Sequence, residues 1–368
     1  MNPGLVVKLR PAGPWRSGPD SGSRSRVDPI YHSDSLYAAV TAAMGALGIR
    51  DEWLDATARN PQGPAVRFSS CFPFLGETGF IVPPRNIWPP MGGAPVSLSK
   101  IRWRSARFIP VSLVAALLDG QGLSEEQWTV DGASECLMPA GLPGPFRTSV
   151  RWSAAVDRLT GSTERHATAG IEFRRDAGLW AVISFADEEA GTRWPGPVRG
   201  AFRLLADSGF GGERSRGWGH CLEPEFLEGT LPELILPPPE KNAGPAGDPS
   251  PGEGPVGAEE ILAAAPVEPP PPSLTSHWLL SLFTPGPEDA VDWKRGNYTV
   301  VARGGRVDSP AGYGERKKQL HMVTEGSVLV AGETIRGMAP DVAPDGFAHP
   351  VFRAGFALSI PLPGQVTA

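Results

Sequence analysis

Apolar residues fall into short runs separated by long stretches rich in glycine, proline, serine and charge. LVVKLR (5–10) predicts a first strand, and the Gly/Pro/Ser/Arg-rich residues after it a loop. In HSDSLYAAVTAAMGALG (32–48), Leu36, Ala39, Val40, Ala43 and Leu47 recur at helical spacing. That predicts a helix capped by Ser33 or Asp34 and stopped at Gly48. AVRFSSCFPFL (65–75) predicts a strand running into an exposed Phe-Pro-Phe turn. SKIRWRSARFIPVSLVAALLDG (99–120) is a basic segment leading into a short apolar helix. From 147 to 185, apolar and polar residues partly alternate about a polar tip at 160–170, and LWAVISF returns, which predicts a hairpin and a strong strand. A helix is predicted over 197–209 and a strand over 221–228.

Between helix and strand lies DSGFGGERSRGWGH (207–220), too bare for a core element. Glycine lets a backbone approach a ligand closely, and successive N–H groups form nests for anions. Arginine adds a fork of donors suited to phosphate. Arg214 and Arg216 flank Ser215, so an extended segment would point both the same way. Trp218 offers an aromatic face for a base, or a core plug. The competing reading is a glycine-rich surface turn with solvated arginines. The stretch is neither a Walker A loop nor a dinucleotide fingerprint, because no Gly-Lys-Ser/Thr closes it and the order is helix, glycines, strand.

Residues 237–273 read as a linker or disordered insertion, crowded with proline and nearly free of aromatics. Beyond it, HWLLSLFTP (277–285) opens a second, strand-rich unit. The chain thus divides into an N-terminal unit (1–230, with an insertion around 85–180), the linker, and a C-terminal unit (275–368).

Charge and cysteine content narrow the class. The 368 residues carry a formal net charge of −6, unusual for a free nucleic-acid binder. Acidic residues gather in 223–260 and 187–189, basic ones before 220, which is compatible with a basic groove inside a larger assembly. Cys71, Cys136 and Cys221 are widely spaced with no CxxC, which argues against a disulfide framework or zinc site. The N-terminus lacks an apolar signal region and no run approaches membrane-spanning length, so the expectation is a cytoplasmic chain with no membrane partner.

AFRLLADSGFGGERSRGWGHCLEPEF (201–226) resembles the glycine-rich loop of RAMP proteins of CRISPR effector complexes. More narrowly, it is similar to the Cas-five-group subunit of type III-A systems, the fourth Csm subunit. Other pieces agree in the family's order: IYHSDSLYAAVTAAMGALG, FSSCFPFL, TSVRWSAAVDRLTG, QLHMVTEGSVL and HPVFRAGFALSIPL. The resemblance covers nearly all of the chain except the linker. It implies an α+β fold of two ferredoxin-like, RRM-related domains with a thumb β-hairpin. It also implies a scaffold that is not an enzyme and needs no cofactor or metal. The implied partners are the 5′ handle of the guide RNA (crRNA), the Cas-ten-type large subunit, a backbone RAMP subunit, and target RNA near the thumb.

A single-stranded handle calls for phosphate contacts and stacking. The candidates on the loop are Gly211, Gly212, Arg214, Ser215, Arg216, Gly217 and Trp218. Further candidates are Arg26, His32 and Ser33 before and at the first helix; Lys100, Arg102, Arg104 and Arg107 around Trp103; and Arg147, Arg151 and Arg158 on the thumb. Arg316, Lys317 and Lys318 form a weaker set, and Arg16 and Arg24 lie in a loop the sequence does not place. Three alternatives stay open: an endoribonuclease that matures guide RNA, for which His32 and His220 could form a pair; the type III-B counterpart subunit; and a protein-docking module.

Overall fold

The computed structural model describes residues 2–19, 22–90, 103, 105–236, 274–309, 312–332 and 334–362. The predicted linker therefore lies outside the described residues, as do Lys100, Arg102 and Arg104.

The N-terminal unit runs β1 (Asn2–Leu9), α1 (Ser33–Ala46), α2 (Arg50–Ala56), β2 (Val66–Phe68), β3 (Phe72–Leu75), β4 (Thr78–Ile81), β5 (Ile109–Pro110) and α3 (Val111–Leu118). It continues with β6 (Trp128–Val130), β7 (Leu137–Pro139), β8 (Phe146–Val156), β9 (Thr163–Phe173), β10 (Ala177–Phe185), α4 (Glu188–Arg193), α5 (Pro195–Ser208) and β11 (Glu225–Leu231). Its main sheet has the order β11-β1-β10-β3-β4-β5, with β2 also on β10. Counting β1, β3, β10 and β11 as strands one to four, the order 4-1-3-2 with antiparallel neighbours is the ferredoxin-like arrangement. α1 packs on α5 in the two crossovers. β10 is buried at every position, so both faces of the sheet centre are covered.

The second unit comprises β12 (Thr275–Leu279), β13 (Val291–Asn297), β14 (Val300–Arg303), β15 (Arg306–Ser309), β16 (Gly312–Arg316), β17 (Leu320–Val323), β18 (Val328–Ala331), β19 (Gly337–Met338), β20 (Gly355–Phe356) and β21 (Ser359–Leu362). Its sheet, β13-β18-β12-β21, repeats the same 4-1-3-2 order. Among its described residues, however, no helix forms, and small β-pairs occupy the crossovers. Its sequence is punctuated by glycine and proline, which destabilise helix interiors. Trp278, Leu280, Ile360 and Leu362 join the N-terminal core, so the two sheets share one hydrophobic interior.

Two local expectations are corrected. Phe72-Pro73-Phe74 is a buried strand, not an exposed turn: Phe72 and Phe74 are 0% and 1% exposed, and Trp180 Nε1 donates to the Pro73 carbonyl at 3.1 Å. The reversal comes two residues later, at Gly76, where φ is +58°. Neither Ser33 nor Asp34 caps α1; the capping position is His32, with no side-chain cap bond. Ser33 Oγ instead accepts the Leu282 N–H at 3.0 Å, and Asp34 binds arginines of the second unit. A partner remote in sequence took the role that local pattern assigned to the helix end.

Candidate nucleic-acid interface

α5 delivers the chain into the glycine stretch, where positive φ recurs at Gly209, Gly211, Glu213, Gly217 and Gly219. Three of these positions, Gly209, Gly211 and Gly219, admit nothing larger; a Cβ on Gly209 would lie 2.8 Å from the Trp218 carbonyl oxygen. A Cβ on Gly219 would lie 2.1 Å from the Phe210 carbonyl oxygen, and one on Gly211 2.6 Å from that of Arg16. The loop is tied to the segment after β1 by Gly212 N–H to Arg16 O (2.8 Å) and Gly219 N–H to Pro14 O (3.0 Å). Beneath it, Trp15, Tyr31 and Phe210 pack edge to face, with Trp15 and Phe210 centroids 4.2 Å apart.

Arg214–Arg216 form a 3-10 turn, not an extended segment, so the two arginines do not share a face by alternation. They meet through Glu213 instead. Glu213 accepts from Arg24 at 2.7 Å and pairs with Arg216 at 3.2 Å. Burial opposes the charge on Glu213, but the hydrogen bond from Arg24 and the charges of Arg24, Arg216 and Arg16 hold its pKa below the usual value. Arg24, Gly211, Glu213, Arg214, Ser215 and Arg216 line one open depression with three guanidiniums against one carboxylate. Arg26 is exposed on the same loop as Arg24.

β8 and β9 form the predicted hairpin, pairing from Phe146↔Phe173 to Val156↔Thr163. At a rise of about 3.4 Å per residue, its 11-residue strands extend roughly 35 Å. Arg147, Ser149 and Arg151 alternate onto one face and converge on Glu172, at 3.0, 3.0 and 3.4 Å. Arg158 is exposed at the tip, and Val150, Trp152 and Val156 are exposed on the opposite face.

Trp218 joins loop to hairpin. It is 5% exposed, lies against Gly170 of β9, and has the Arg151 guanidinium 5.4 Å from a ring centroid. Of the two roles the sequence allowed it, a face for a base or a core plug, its burial fits the plug: it holds the hairpin base against the loop, and its place among the stacking candidates is corrected accordingly. A Cβ on Gly170 would come within 2.6 Å of its ring.

His32 and Ser33 are corrected as well: both are 5% exposed and face the second unit. His32 hydrogen-bonds Glu325 at 2.7 Å and Asp28 at 3.1 Å. Burial works against its protonated form, yet the Glu325 charge and the Asp28 hydrogen bond raise its pKa to about 9. Glu325, 4% exposed, also accepts the Ser70 hydroxyl, and its pKa is held low by His32 despite its burial. Beside it, Asp34 accepts Arg303 Nε and Nη2 at 3.1 and 2.9 Å and pairs with Arg353. Asp28 also binds Arg107 at 3.0 Å, which draws that candidate into the junction.

The Ser-Asp, Phe-Ser-Ser and Glu-Gly-Ser segments are thus three parts of one buried domain junction. The sequence reading missed Asp34, Glu325, Arg303 and Arg353; the available signal was charge set inside apolar runs. Arg16 is likewise structural: it is 6% exposed and donates to the carbonyls of Ala169, Ser23 and Arg24 at 2.5, 2.8 and 3.0 Å. Arg316, Lys317 and Lys318 lie apart on the second unit, where Lys318 pairs with Asp345 at 2.8 Å.

Among the described residues, no group of three or more His, Cys, Asp or Glu side chains is placed to hold a metal ion, and no helix is long and apolar enough to cross a membrane. The arrangement offers a cationic, backbone-rich surface at the loop and a long ribbon with one basic face beside it.

Known proteins match both units. Residues 274–362 match the model of the CRISPR Csm4 C-terminal domain. The CRISPR system protein Csm4 of Thermococcus onnurineus is 25% identical over 236 residues, covering 61% of this chain and 68% of that protein. Two solved structures share the fold at 16% identity: a Csm3–Csm4 subcomplex of the type III-A interference complex (TM-score 0.59, covering 97% of this chain and 99% of that one) and a Csm1–Csm4 cassette with cA4 (TM-score 0.54, 98% of both). With the paired 4-1-3-2 sheets and the glycine loop, the chain has the fold of these Csm4 structures, and its residues 274–362 match the Csm4 C-terminal domain of CRISPR RAMP proteins.

Proposed function

We propose that this chain is an RNA-binding subunit of a type III-A CRISPR interference complex, and that its glycine loop holds the 5′ handle of the guide RNA. The observation that carries this is the depression in which Arg24, Arg214 and Arg216 surround a single carboxylate on a backbone that tolerates close approach. Arg147 and Arg151 extend the cationic surface onto the hairpin, linked through Trp218. Phosphates bound there would displace solvent and counterions, the sequence-independent part of RNA affinity. The hairpin's length and exposed Trp152 suit a wedge beside the guide–target duplex. In the relatives, Csm4 is found with Csm1 and with Csm3. The same two kinds of partner, a large subunit and a backbone RAMP subunit, are assigned to this chain.

The test is binding of a repeat-derived handle RNA to wild type and to Arg214→Ala/Arg216→Ala. Uncut RNA, bound in a salt-dependent way and weakened in the double variant, supports the assignment. Unchanged affinity would remove the loop from it, and cleavage of the RNA would favour an endoribonuclease.

A further inference from the structure

At the end of the N-terminal sheet remote from the glycine loop, the two units enclose a cavity of about 300 Å³. Asn2, which begins β1, lines it, whereas the loop meets the residues just past the other end of that strand. Eight residues at about 3.3 Å each place the two features roughly 25 Å apart. Arg67 of β2 enters the cavity from the first unit, beside its register partner Ser184; residues 357–361 close it from the second.

Arg67 is the anomaly. Its Nε is shielded from solvent and has no hydrogen-bond partner. Burial is the largest influence on its pKa and lowers it; Arg336 lowers it further, and only Asp289 acts the other way. Asp289 is occupied, because its carboxylate accepts the N–H groups of Gly286 (2.7 Å), Arg336 (2.7 Å) and Gly337 (2.9 Å). A guanidinium does not shed its proton in proteins, so burying one without an anion is costly. Other buried arginines among the described residues have a charge or carbonyl partner: Asp34 pairs with Arg303 and with Arg353, although Arg353 Nε is also left without a hydrogen bond, and Arg16 donates to three carbonyls.

We propose that the cavity binds a small phosphorylated organic molecule, with its phosphate on the Arg67 guanidinium and its organic part against Leu231, Pro232 and Pro361. The planar fork matches phosphate oxygens, and a dianion offsets a desolvated cation next to a second arginine. The Ser184 and Thr334 hydroxyls line the same cavity as neutral donors, Thr334 at its exposed rim. The volume lies at the lower end of small-molecule sites and exceeds what a bare phosphate fills, and the remaining wall is largely aliphatic, with Asn2, His277 and Ser359 as its polar members. This site stands independently of the guide-RNA assignment, which concerns the other end of the sheet.

Calorimetric titration of the full chain tests it, with inorganic phosphate, ribose 5-phosphate, adenosine monophosphate and citrate as probes. Wild type should bind at least one organic phosphate saturably and more tightly than inorganic phosphate or citrate. Arg67→Met should weaken that binding about tenfold or more, as expected for losing a charge-assisted bond. Thr334→Trp, a change on the exposed rim that leaves Arg67 in place, should weaken it comparably. Arg214→Ala/Arg216→Ala should leave it within about twofold, because that change lies at the opposite end of the sheet. The proposal is overturned if no organic phosphate binds, if citrate binds equally well, if both cavity variants bind as wild type does, or if only the glycine-loop variant loses binding.

Discussion

Replacing Glu325 with Gln keeps the shape of the side chain and removes the charge facing His32. The wild-type pair makes its contribution through the imidazolium, whose pKa rises from an ordinary 6.5 to about 9 on folding. At about 1.4 kcal/mol per pH unit, that gap corresponds to about 3 kcal/mol. Because the folded value is the higher one, this stability is fully present below pH 6.5 and is lost as pH rises through 9. The Glu325→Gln penalty should therefore be largest near pH 6, with about 3 kcal/mol as its upper bound because Asp28 still hydrogen-bonds the imidazole, and shrink as the buffer approaches pH 9.5. Staying above pH 5.5 avoids protonation of Glu325 itself, whose pKa is held low. Guanidinium unfolding followed by circular dichroism at pH 6, 7.5 and 9.5, at constant ionic strength, gives the three differences. A penalty that is the same at all three values, or below about 0.5 kcal/mol at pH 6, would refute the claim that His32 is held charged by Glu325.

Asp34→Ala removes the carboxylate shared by Arg303 and Arg353 and should cost about 3–5 kcal/mol in chemical denaturation, because two buried cations lose their partner. Gly219→Ala sets a Cβ against the Phe210 carbonyl at positive φ; thermal melting should show a loss of about 2 kcal/mol or more, with weaker handle-RNA binding as the loop shifts. Gly170→Ala should push Trp218 from its seat, raising tryptophan solvent exposure in quenching experiments while leaving the far-ultraviolet circular dichroism unchanged. Arg214→Ala/Arg216→Ala should reduce the slope of log affinity against log salt by about 1.4 for single-stranded RNA, and a slope equal to wild type would show that neither arginine meets a phosphate.

Most of the main elements were legible because their signal is local. The helical spacing from Leu36 to Leu47, the run LWAVISF and the glycines after Ser208 each determine backbone conformation through near neighbours. The glycine loop was legible for the same reason, since no other residue fits where a Cβ would meet a carbonyl at 2.1 Å. FPFL misled because a buried strand with a proline looks like a turn until its sheet partner, β10, is known. The direction of the loop arginines was misjudged because positive φ at Glu213 and Gly217 sets the turn, and Glu213 draws Arg24 and Arg216 together across the fold.

By itself, the sequence determined two units, the second rich in strands, a bare cationic loop after a helix, and a partly alternating hairpin that carries arginines. Only the tertiary structure decided which polar residues remain available to a ligand. His32, Ser33, Arg16 and Trp218 have the chemistry of an RNA surface, but partners far away in sequence bury them. Charge and aromaticity are properties of a side chain, whereas exposure depends on what folds over it. The same separation explains Arg67, an ordinary strand residue in the sequence whose Nε is left buried without a hydrogen-bond partner in a cavity lined by both units.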